Sequence, residues 1–315
     1  MIDMLYILYA IVPAVLSALG TSIGQGFIGA AALQAMNRQP TSANAISKLC
    51  VIGMAITETA AVMGIVISIM MLGDINTLQN SNYANYGAAG IAIAMGLSGF
   101  CAGIASAFPA VATCHSVASQ PFLQTKLLNL MLITQTLIMT PNMFGMLISL
   151  LIKSKIHSAA TVQHGFQMLA AGISIGLGCI GPSIGLSLFA FAACHGVGTN
   201  KQAFGKIMTF TFICEAIIET PAIFSLLISL MILTTAINPE SFIQSWQFIA
   251  AAICIGLSTI SPGINSGRTG AMACTQIALH LDQYPSLSKI TMLALAMIDS
   301  FAIYGLLIAI VMLLF

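Results

Sequence analysis

Three acids stand isolated in long apolar runs: Glu58, Glu219 and Asp299. A charge at mid-membrane depth costs about 3 kcal/mol on insertion scales, so an acid there marks a functional position by default. A carboxyl group in such a setting can load and release a proton, or hold a small cation where further oxygens surround it. Oxygens are at hand. Thr59, Thr220 and Ser300 directly follow the three acids, and Tyr304 lies five residues beyond Asp299. Gln25 and Ser266 place polar groups in the apolar stretches that precede Glu58 and Asp299. A purely structural ion pair does not explain the acids, because Arg268 is the one cation at comparable depth and cannot serve three sites.

The acids recur because the chain repeats. A shift of 80 takes Glu219-Thr220-Pro221 back to Met139-Thr140-Pro141 and forward to Asp299-Ser300-Phe301, while a shift of 81 relates Gln39-Pro40 to Gln120-Pro121. Four tandem units follow, at 1–80, 81–160, 161–240 and 241–315. The second has Met139 where the others have an acid. Each unit holds two apolar stretches around a short polar turn, near Asn37–Ala43, Ser119–Gln124, Gly198–Ala203 and His280–Ser286. Looser joints link the units near Gly73–Asn85, Lys153–His164 and Asn238–Ser245.

Backbone polar groups in lipid must be satisfied internally, so each stretch is expected to be a helix. The expected fold is an all-α membrane protein with eight transmembrane helices in four tandem hairpins. With 58% apolar and 5% charged residues over 315 positions, the chain cannot cover a water-facing domain, and a formal net charge of +1 offers no footprint for nucleic acid. Met4 to Gly20 lacks a basic leader and runs on into apolar sequence, so it reads as a first span rather than a cleaved signal. The eight cysteines form no CxxC pair and read as packing residues rather than disulfides or metal ligands. Arg38, Lys48, Lys126, Lys201, Lys206 and Lys289 lie near the hairpin turns, against Lys153 and Lys155 at the joints, which places the turns on the cytoplasmic side.

First helices are dense in Gly, Ala and Ser, as in Gly172, Gly176, Gly178, Gly181 and Gly185; second helices carry Ile, Leu, Met and Phe. Small residues let backbones approach closely. The division predicts an inner layer of first helices and an outer, lipid-facing layer of second helices, in a two-layer ring. Pro109, Pro141, Pro182, Pro221 and Pro262 fall inside spans and are expected to kink them. Glu215 lies one turn before Glu219, and Arg268 lies near the same depth. The expectation is an internal Glu215–Arg268 charge pair, with Arg268 facing the inside of the ring as the alternative.

The stretch Gly20-Thr-Ser-Ile-Gly-Gln-Gly26, the turn Arg38-Gln39-Pro40, and Glu58 ahead of Gly64 closely resemble the c subunit of F-type ATP synthases, the rotor-ring proteolipid. The first unit carries the full pattern; the others follow through the repeat, with turns Ser119-Gln120-Pro121, Thr199-Asn200-Lys201 and Leu279-His280-Leu281. Fusion of hairpins in one chain, one without an acid, resembles vacuolar-type proteolipids. The resemblance implies a homo-oligomeric ring in a lipid membrane that turns against the stator's a subunit, with ions carried at Glu58, Glu219 and Asp299. It implies that Arg38, Gln39 and Pro40 dock the central stalk, that the chain is not itself catalytic, and that it needs no cofactor beyond the transported H+ or Na+. The turn motif suggests a bacterial inner membrane, or an organellar one. Gln25 with Glu58 and Thr59 is similar to a sodium-binding set. Leu186 removes a ligand at the matching place in the third unit, so the proton leads. The chief alternatives are a vacuolar-type ATP-driven pump, a repeat-built secondary transporter, which fits four parallel hairpins poorly, and an inert proteolipid, which the retained acids argue against.

Overall fold

The computed structural model describes residues 2–74, 83–157, 161–238 and 242–314. Residues 75–82, 158–160 and 239–241 of the three joints lie outside the described residues. Among the described residues the chain forms eight apolar helical spans of membrane length: α1 (Met4–Arg38), α2 (Pro40–Gly73), α3 (Ala84–Ser119), α4 (Pro121–Ile156), α5 (Val162–Thr199), α6 (Lys201–Thr234), α7 (Phe242–Leu279) and α8 (Leu281–Leu314). At about 1.5 Å per residue each span is about 50 Å long, well beyond an apolar bilayer core of about 30 Å. Glu58, 18 residues past Pro40 and 15 before Gly73, therefore sits near mid-span.

The odd-numbered spans form one row and the even-numbered spans a second row outside it. Along the inner row backbones touch. A Cβ on Gly90 would lie 2.5 Å from the Met168 carbonyl oxygen, and one on Gly181 would lie 2.5 Å from that of Ile260. Only glycine permits this spacing. Between inner and outer helices of one hairpin the contact is a serine against a glycine: Ser17 on Gly64, Ser98 on Gly145, Ser258 on Gly305. The third hairpin keeps the pair but exchanges its members, Ser225 of the outer helix lying on Gly178 of the inner one. The packing needs one small hydroxyl and one hydrogen at each crossing, whichever helix supplies which.

Four spans are interrupted near mid-depth, at Ser106, Met139, Cys179 and Thr259. Each break lies two or three residues before Pro109, Pro141, Pro182 or Pro262, where the proline removes an N–H and crowds the preceding turn. Pro221 does not interrupt α6, which runs as a continuous helix from Phe204 to Thr234. The apolar core divides at the same level. One cluster, with Leu49, Leu127, Phe189 and Phe210, lies toward the turns. A second, with Ile67, Met95, Ile175 and Phe248, lies toward the joints. Between them sits a small group of Ala60, Ala102 and Met139. The hairpin turns share one backbone form: Gln39, Gln120, Asn200 and His280 leave the helix with φ between −139° and −127°, and a short 3-10 turn follows each. Proline starts that turn in the first two hairpins, where its fixed φ suits the position.

Candidate functional site

The break in α7 and the straight run of α8 bring Asp299 against two hydroxyls. Ser266 of α7 donates to Asp299 Oδ1 at 3.1 Å, and Thr220 of α6 donates to Oδ2 at 2.9 Å. Asp299 is 7% exposed. Its site thus draws the inner helix of its own hairpin and the outer helix of the preceding one. Glu219, 8% exposed, sits one hairpin earlier with Thr140 of α4 close by, the Thr140 hydroxyl donating to the Leu137 carbonyl at 2.8 Å. The inner-helix partner is missing there, because Leu186 stands in place of Ser266. Thr140 was not among the candidate ligands. The offset that singled out Thr59, Thr220 and Ser300 reaches it too, but its own hairpin has Met139, which hid it.

Thr220, the hydroxyl directly after Glu219, thus serves Asp299 of the following hairpin. The expected sodium set of Gln25, Glu58 and Thr59 shares no hydrogen bond among the described residues. Ala60, next to Thr59, packs on Met139 of the following hairpin, and Met139 is 4% exposed. Thr59 Oγ1 donates to the Ile56 carbonyl at 2.7 Å instead of joining Glu58. Gln25 stays near, its amide donating to the Met54 carbonyl at 3.3 Å, one turn from Glu58. Glu58 itself is exposed, on the free edge of the first hairpin. Ser300 is half-buried at the opposite free edge, its hydroxyl on the Met297 carbonyl at 2.6 Å.

Two further expectations fail on helical phase. Tyr304 is 60% exposed and packs edge-on against Phe301 at 6.1 Å, away from Asp299. Five residues turn a helix by about 140°, off the site. Arg268 does not pair with Glu215. It is exposed on α7, whereas both carboxylate oxygens of Glu215 are buried with no hydrogen-bond partner. Ser266 faces the site, and Arg268, two residues on, points about 200° around the helix. Equal depth did not mean a shared face.

In the second hairpin Gln135 takes the place of Glu215. Its amide donates to the Gly53 carbonyl at 3.1 Å and to the Ser106 carbonyl at 2.8 Å, using an acceptor at the proline-induced break. Ser106 in turn donates to Thr57 Oγ1 at 3.1 Å. The junction of the first two hairpins therefore carries a polar network around Gln135, whose Oε1 is left buried without a partner. At the turn end, Arg38 is exposed in the last turn of α1, and Gln39 bonds Thr41 at 3.1 Å. Neighbouring turns are tied by Asn200 to the Ala278 carbonyl at 2.9 Å, and Lys126 and Lys206 lie over Phe204 and Tyr284 at 5.2 and 5.4 Å. At the joint end Lys153 pairs with Asp74 at 2.7 Å, tying the second hairpin to the first.

The family described as the ATP synthase C subunit matches the chain four times, at residues 8–71, 89–152, 169–232 and 249–312. The chain is similar to the K subunit of an A-type ATP synthase from Methanocaldococcus jannaschii, 30% identical over 228 residues, which span 72% of this chain and 96% of that protein. It is also similar to the ATP synthase c subunit of Dehalococcoides mccartyi, 41% identical over 70 residues, 22% of this chain and 92% of that one. The ATP synthase c subunit of Geotalea uraniireducens is 46% identical over 66 residues, 21% of this chain and 72% of its own length.

Proposed function

The chain belongs to the ATP synthase C subunit family, and from that premise we propose that it builds a rotor ring carrying protons or sodium ions on Glu58, Glu219 and Asp299. It is a non-catalytic subunit of the rotary machine. The observation that carries the ion reading is Asp299, a carboxylate at mid-span, nearly closed off and held by two hydroxyls from two hairpins. A buried acid with donors and no cationic partner is built to be neutral when loaded and charged only briefly.

The ring reading rests on the two uncovered ends of the row. The central inner spans α3 and α5 are mostly buried, while α1, α2 and α8 are a third buried or less. Glu58 waits at one end without a hydroxyl, and Ser300 occupies the matching place at the other. When a second copy docks end to end, its Ser300 takes the position toward Glu58 that Thr220 takes toward Asp299. The closed ring turns against the stator's a subunit and is docked by the central stalk at Arg38, Gln39 and Pro40. The hairpin turns face the cytoplasm, in a bacterial or organellar inner membrane.

Proton is the favoured cargo. Glu219 has one hydroxyl and Leu186 behind it, a thin set for a hard cation that wants several oxygens. A second reading, an ATP-driven pump of the A- or vacuolar type, draws support from the likeness to the A-type K subunit and from Met139. With Met139 inert, four hairpins carry three ions, and fewer ions per turn allow a steeper gradient for each ATP hydrolysed. Measured ion-to-ATP stoichiometry equal to the full hairpin count would remove that consequence.

The test is dicyclohexylcarbodiimide labelling of the purified protein across pH, with and without sodium, mapped by mass spectrometry. Labelling at Glu58, Glu219 and Asp299 that depends on pH alone supports a proton ring. Protection by sodium makes it a sodium ring. Absence of labelling at all three overturns the rotor reading.

A further inference from the structure

Glu215 is a carboxylate the ion sites do not account for. It is 0% exposed, and neither oxygen has a hydrogen-bond partner. The groups that reach it electrostatically are Cys194 of α5, Cys214 and Glu219 of α6, and Cys274 of α7. None is a cation, and Arg268 points elsewhere. An ionised carboxylate in such a place would leave a buried charge uncompensated, at a cost of several kcal/mol. Glu215 therefore holds a proton, and a protonated carboxyl has one O–H to donate.

The place for that O–H is one turn away. Glu215 and Glu219 share a helix face at the i, i+4 spacing, which brings side chains together. Site by site, the inner-helix donor of Asp299 is Ser266, whereas Leu186 leaves Glu219 with none. The third hairpin thus loses a donor on its inner helix and gains an acid on its outer one.

We propose, building on the reading of Glu219 as an ion carrier, that Glu215 is the second acid of that site: it keeps its proton and donates it in a hydrogen bond to Glu219 whenever that carboxylate has released its ion. The unloaded site then carries one negative charge spread over two carboxyl groups that share one proton, as paired carboxyls do at close range. The ring holds two chemically different kinds of site, hydroxyl-backed at Asp299 and acid-backed at Glu219.

Infrared spectroscopy of the protein in liposomes tests this through the C=O stretch of protonated carboxyls. In the unmodified chain one such band persists at alkaline pH. It disappears in E215Q and shifts in frequency in E219Q. E215Q installs the residue that Gln135 supplies at the matching place in the second hairpin, and E215L installs that of the fourth, Leu295, so both have a precedent in this fold. Carbodiimide modification in E215L changes several-fold in rate at Glu219 and stays unchanged at Asp299 and Glu58. The proposal is overturned if no band persists, if the band survives in E215Q, or if E219Q leaves its frequency unmoved. Failure of the ion-carrier reading would show separately, as loss of labelling at Glu58 and Asp299.

Discussion

Asp299 and Glu58 hold the same place in their hairpins and meet opposite surroundings. Asp299 is enclosed by Ser266 and by Thr220 of the preceding hairpin, and Glu58 is exposed on α2, with Gln25 nearby. A carboxylate in this fold is finished by its neighbour. Inside the chain the neighbour is fused on, so three of the four junctions are set by covalent order. In the proposed ring the remaining junction, from Ser300 to Glu58, is made with a second copy.

The largest expected effect tests whether the two acids are equivalent in use. Glu58→Gln and Asp299→Asn should each abolish ion transport by the reconstituted rotary complex, because every site must pass the stator in turn. Vesicle ion uptake persisting near the original rate in either variant would show that the acids do not act in series. Next comes the inner row that sets the spacing of all sites. Gly181→Val puts a side chain into the Ile260 backbone and should prevent a detergent-stable oligomer from forming, as read on native gels, overpacking here costing about 3 kcal/mol or more. Gly26→Val, with open space at its Cβ, should assemble normally.

The exchanged serine and glycine of the third hairpin give an intermediate effect. Gly178→Ser alone sets two serines against each other at that crossing and should lower thermal stability by about 1–3 kcal/mol. Adding Ser225→Gly restores the order of the other hairpins and should recover most of the loss. Smaller still is the hydroxyl at each acid. Thr220→Val should weaken ion protection of Asp299 against carbodiimide by about tenfold, the equivalent of about 1.4 kcal/mol for one hydrogen bond to a charged group. Ser300→Ala should do the same to Glu58, but only in the assembled oligomer. An equal effect in dispersed chains would break the comparison between fused and open junctions. The smallest change is Asp74→Asn at the joint, where the partly exposed pair with Lys153 should contribute about 0–1 kcal/mol to thermal stability.

Residue order alone determined a good deal. The repeat placed Glu58, Met139, Glu219 and Asp299 at one depth, and unbroken apolar stretches left helices as the only backbone that lipid permits. Glycine density marked the inner layer, because a missing Cβ is a property of the residue wherever it lies. Prolines marked the four breaks; Pro221 shows that a proline need not interrupt a span.

What the sequence could not decide was which side chain meets which. Depth is linear along a helix and can be counted, but facing depends on rotational phase and on which hairpin packs next. That is why Thr220 proved to serve Asp299 rather than Glu219, why Thr140 was missed, and why Tyr304 and Arg268 turn away from sites whose depth they share. Only tertiary structure fixes phase between helices, since it is the backbone contacts of the inner row that lock each hairpin against the next.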